Sequence, residues 1–134
     1  LSPSSSKKII NYLVESKKVE VIINPDTTNL TPGLYFEFNH ILTKNNIILK
    51  NDISETISSL LNLYKKSKNN SIINLCTFLI EEYIYNQINL NKNNINSFII
   101  LKEKIFKILR NLEDYNLNVT SIVNSIKLKI NHVQ

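Results

Sequence analysis

The sequence predicts a mainly α-helical domain of α+β class: a four-helix bundle of two αα-hairpins, preceded by a short helix and a small β-region of two or three strands. Three observations carry that reading. From residue 52 onward, apolar residues recur three and four apart, the period of a helix with one buried face. Upstream of that point, three short runs are rich in β-branched and aromatic residues, which favour strands. The polar connections between the helical runs are short, so successive helices should lie side by side as hairpins. A length of 134 residues suits one domain. It is expected to comprise a flexible lead-in over residues 1–6 and a single helical domain over 7–134, with the helix and β-region in 7–50 and the bundle in 51–134.

Taken in order, Ser5 or Ser6 is placed to cap a first helix that starts near Lys7 and carries the stripe Ile9, Ile10, Leu13 and Val14. Val19 to Ile23 reads as a strand stopped by Asn24-Pro25-Asp26. Leu34 to Phe38 and Ile47 to Leu49 read as two more, with turns at Pro32-Gly33 and Lys44-Asn45-Asn46. A short helix over residues 39–43 is the competing reading.

In the bundle, Asp52 followed by Glu55 has the form of a capping box, and Ile53, Ile57, Leu60, Leu61 and Tyr64 make one apolar face behind it. A second helix, capped at Asn70/Ser71 and running to about Asn89, is apolar on most sides and is expected at the centre of the domain. A third is capped by Ser97 and reaches about Leu112, with Phe98, Leu101, Ile105, Ile108, Leu109 and Leu112 inward. Tyr115-Asn116-Leu117-Asn118 breaks it. Asn118 or Thr120 then caps a last helix with the seam Val119, Ile122, Val123, Ile126, Ile130 and Val133.

Composition narrows the classes of function. The chain has 22 Asn, 22 Ile and 15 Lys against one Arg and one Gly, with no Ala, Met or Trp, a skew that an AT-rich genome explains most simply. Its +5 charge therefore reflects codon supply as much as partners. The charge is spread evenly, with six basic against four acidic residues in 1–50 and ten against seven in 51–134. The longest uninterrupted apolar run, Phe98 to Leu101, is far shorter than the roughly 20 residues a membrane span needs. The single cysteine, Cys76, excludes an internal disulfide and reads as a buried small hydrophobe. The compartment stays open, with a reducing intracellular one favoured. The chain begins at Leu1 without Met, so a fragment of a larger protein is expected.

Residues able to do chemistry are few. His40 and His132 are the only histidines, and nothing in the sequence pairs either with Cys76. The carboxylate pairs Glu81-Glu82 and Glu113-Asp114 are adjacent on helices, where neighbours point about 100° apart, so neither is a ready chelate. One glycine cannot build a phosphate-binding loop. No catalytic, metal-binding or cofactor-binding residue is assigned, and an enzyme is not expected. Leu112 with Leu117-Asn118-Val119-Thr120 and Ile122-Val123 resembles the corresponding stretch in the helical N-terminal domain of transcription elongation factors of the S-II type. The Gly-Lys that usually follows there is missing here, and no membership is drawn from the likeness.

The favoured function is a non-catalytic protein-interaction or scaffold module of a larger protein. It would use Tyr83, Tyr85 and Ile88, aromatic and apolar residues left over from the broad girth of the second helix, to bind a protein partner. The first alternative is nucleic-acid binding along the lysine-rich edge Lys102, Lys104, Lys107 and Arg110, joined by Lys65, Lys66, Lys68, Lys127 and Lys129. Tyr35, Phe36 and Phe38 would then offer a stacking platform if they lined a sheet, although core packing is the expected role. The second alternative is helical self-association into a homo-oligomer.

Overall fold

A computed structural model describes residues 2–49, 52–115 and 118–133, with the side chains of 113–115 and 132–133 set aside. The Asn116-Leu117 break and the side-chain assignments for His132, Val133 and the Glu113-Asp114 pair lie outside the described residues. The described residues form six α-helices, and the chain divides into two compact units, Leu1–Leu49 and Lys50–Gln134.

The first unit contains α1 (Pro3–Lys17) and α2 (Pro32–Lys44), packed against each other. Helix α1 starts four residues earlier than the sequence predicts. Ser2, not Ser5 or Ser6, is the cap: its Oγ accepts from the Ser5 N–H at 3.2 Å, and Pro3 occupies a position where a missing N–H costs nothing. Ser6 is instead buried beside Ile10 in the helix body.

The predicted β-region is not there, and among the described residues there is no strand. Val19 to Ile23 lies in an irregular segment, as does Ile47 to Leu49, while Leu34 to Phe38 lies inside α2. Two local causes override strand propensity in α2. The Thr31 hydroxyl accepts from the Leu34 N–H at 3.4 Å, and Pro32 follows at the first helical position, so Pro32-Gly33 opens a helix instead of a turn. The residues that α2 buries are Tyr35, Phe38, Asn39, Ile41 and Leu42, which follow helical spacing and not the alternation of a strand. The short helix considered for residues 39–43 is thus the second half of α2.

The irregular segment between α1 and α2 still needs partners for its backbone, and one side chain supplies three of them. Asn39, 1% exposed, accepts from the N–H groups of Ile22 at 2.9 Å and Ile23 at 3.1 Å, and its Nδ2 donates to the Glu20 carbonyl at 2.7 Å. The buried Tyr35 hydroxyl donates to the Ile23 carbonyl at 2.9 Å. An Asx turn follows, in which Asn24 Oδ1 accepts from the Asp26 N–H, and Asp26 Oδ1 accepts in turn from Asn11 of α1. Segment 20–26 is held by side-chain amides where a strand would use a ladder.

The second unit contains α3 (Ile53–Ser67), α4 (Asn70–Leu90), α5 (Ile95–Tyr115) and α6 (Val119–Val133), with a short 3₁₀ turn over Lys92–Asn94 ahead of α5. Polar side chains start three of them. Asp52 accepts from Ser54, Asn69 from Ser71, and Asn118 from Ser121. The cap of α4 is therefore Asn69, one residue before the predicted position. Helix α5 begins at Ile95, carried in by the 3₁₀ turn and not capped by Ser97.

Helix α3 packs on α4 and α6, and α5 packs on the same two, which closes a ring of four. Helix α4 is therefore one corner of that ring and not a central rod around which the others gather. Its apolar breadth has a simpler cause: it lines the interior while facing α3 on one side and α5 on the other. Ile57, Leu60, Leu61, Leu75, Ile80, Ile105, Leu109, Leu112 and Ile126 fill the shared interior.

Replacing Asn39 by Leu keeps the volume but leaves two N–H groups and one carbonyl without partners. The first unit should lose about 2 to 3 kcal/mol, read from denaturant midpoints. Amide exchange at Ile22 and Ile23 should accelerate with it, while exchange in α4 stays unchanged.

Candidate functional site

The antiparallel pair α4 and α5 carries both sets of residues singled out in the sequence. A surface groove of about 520 Å³ runs between the two helices, lined by Thr77 of α4 and by Glu103, Phe106, Lys107 and Arg110 of α5. The Thr77 hydroxyl is turned back to the Ile73 carbonyl at 3.1 Å, which satisfies it within its own helix. Tyr85 and Ile88 lie more than two turns further along α4 and are not part of this lining.

The helical net separates the three residues proposed for a protein partner. At about 100° per residue, Tyr83 and Tyr85 point about 160° apart, whereas Tyr85 and Ile88 are about 60° apart on one edge. Tyr85 is exposed at 67%; Tyr83 and Ile88 are half-buried. Tyr85 and Ile88 share one edge of α4, and Tyr83 lies off it.

The basic residues also split. Lys104, Lys107 and Arg110 are exposed and share an arc of about 120° on α5. Lys102 lies outside that arc, half-buried, with its Nζ 5.8 Å from the centre of the Phe106 ring, a distance at which the cation is drawn to the ring face. Glu103 falls between Lys107 and Arg110 in angle, so a carboxylate sits inside the basic arc. Of the other lysines considered, Lys65, Lys66 and Lys68 are exposed at the end of α3, where positive charge suits the helix C-terminus, and Lys127 and Lys129 on α6 are half-buried. The Lys68 Nζ stands 5.4 Å from the Tyr64 ring centre.

Sequence reasoning missed Phe106, Ile95 and Ile99. They lie off the core stripe of α5, and their spacings of four, seven and eleven residues place them in a second apolar line beside it. That signal is present in the sequence and becomes meaningful once α4 is known to be the neighbour. Exposed Leu90 and Ile100 extend the apolar surface at the same end of the hairpin.

Elsewhere, a second groove of about 530 Å³ in the first unit is lined by Val19, Phe36, Glu37, Asn39, His40 and Thr43. His40 stands on its wall, and the Asn39 amide is already engaged by the backbone of residues 20–23. Tyr35 and Phe38 are buried, and Phe36 meets the Tyr35 ring edge-on at 5.1 Å. These aromatics pack the helical unit and form no stacking platform on a sheet.

Cys76 is fully buried inside the bundle, and burial pushes its thiol well above the usual range, which leaves it a poor nucleophile. Among the described residues, no three His, Cys, Asp or Glu side chains converge as a metal site. No described helix is long and apolar enough to cross a membrane. No family model matches the chain, and neither does any curated protein or solved structure.

One carboxyl on α4 is raised by its surroundings. Burial raises the carboxyl of Glu82, and the adjacent Glu81 raises it further. A carboxyl whose folded pKa lies above its unfolded value favours the neutral form in the fold. Its contribution is complete below the unfolded pKa of about 4.3 and is lost as pH rises through the folded value. Glu82→Gln should therefore raise the urea midpoint of the bundle at pH 7 and leave it nearly unchanged at pH 4.

Proposed function

We propose that this chain is a non-catalytic protein-interaction module, part of a larger scaffold, and that it binds through the outer face of the α4–α5 hairpin. One observation supports the reading above others. Five of the eleven exposed large hydrophobic residues among those described, Tyr85, Leu90, Ile95, Ile99 and Ile100, fall between residues 85 and 100. Exposed hydrophobics scattered singly need no explanation, whereas a concentration of them at one end of a hairpin supports a contact surface. Tyr85 is the natural anchor, being large, rigid and amphipathic, and Ile88 stands about one turn along the same edge of α4.

A second reading, nucleic-acid binding, rests on the exposed arc of Lys104, Lys107 and Arg110. Phosphate contacts need only such a row of cations. The carboxylate of Glu103 within the arc and the scarcity of arginine for bidentate base contacts make it the weaker of the two. Self-association through the same apolar surface is the third reading.

Affinity capture with the intact chain separates these. A protein partner should be retained by the wild type and lost at least tenfold in Tyr85→Lys, whose thermal unfolding should match the wild type because the side chain is exposed. Undiminished capture by that variant would remove this surface from consideration, and a rise in sedimenting mass with concentration would favour self-association.

Nucleic-acid binding makes its own demand. The affinity for duplex or single-stranded probes should fall steeply between 50 and 200 mM salt, on the order of tenfold for each pair of phosphate contacts, and should drop again in Lys107→Glu. Absence of salt-sensitive binding at micromolar protein discards that reading.

A further inference from the structure

We draw no further inference here: the strongest candidate, the surface groove between α4 and α5 lined by Thr77, Phe106, Lys107 and Arg110, belongs to the site already described, its positive charge is interrupted by Glu103, and nothing in the structure shows what covers it.

Discussion

Buried N–H and C=O groups need partners, and this chain must supply them without strands in the described residues and with a single glycine. Helices satisfy most of the groups internally. At the places where helices cannot, the partner is repeatedly an asparagine. Asn69 and Asn118 close helix starts, Asn45 donates to the Ile41 carbonyl at the end of α2, Asn24 forms a turn, and Asn39 holds three backbone groups of one segment. Asparagine suits this work because its short amide both donates and accepts. A composition shaped by codon supply thus also furnishes the caps and clamps that a glycine-poor and strand-free architecture requires.

The bundle spreads its apolar residues unevenly. Its interior is closed by a ring of four helices, and the broad apolar surface of α4 is largely consumed by facing two neighbours at once. What is left over collects at one end of the α4–α5 hairpin, where Tyr85 of α4 and Ile95 and Ile99 of α5 are exposed. Further along the hairpin the groove between the helices has a charged lining, with Lys107 and Arg110 on either side of Glu103. The face therefore changes character along its length, which is why an apolar partner and a phosphate backbone would address different stretches of it.

The bundle was legible in the sequence because burial there follows period alone. Ile57, Leu60, Leu61 and Tyr64 of α3 and Val119, Ile122, Val123, Ile126 and Ile130 of α6 were named from spacing and are buried. The three strands expected within residues 19–49 are absent because strand propensity says little in a chain with 22 isoleucines, whereas the turns after Ile23 and at Asn45-Asn46 are present. The deciding signals there were the Thr31-Pro32 start and the spacing of Tyr35, Phe38 and Leu42. The central position expected for α4 failed for a related reason, since girth shows how many neighbours a helix has and not where they stand. The basic edge of α5 could be seen from its own sequence. The groove could not, because it depends on which residue of α4 lies opposite Phe106.

The helix ends carry a further consequence. Lys18, Asn46 and Lys68 adopt left-handed backbone conformations, with φ of 52°, 54° and 54°. For a residue bearing Cβ that geometry is disfavoured by roughly 1 kcal/mol. The only glycine, Gly33, sits in the first turn of α2, with no positive φ and open space where a Cβ would go. The residue best able to relieve strain is stationed where none exists, and the strained corners go without it. The molecule therefore keeps an unused reserve of stability at its helix termini, left there by its restricted alphabet.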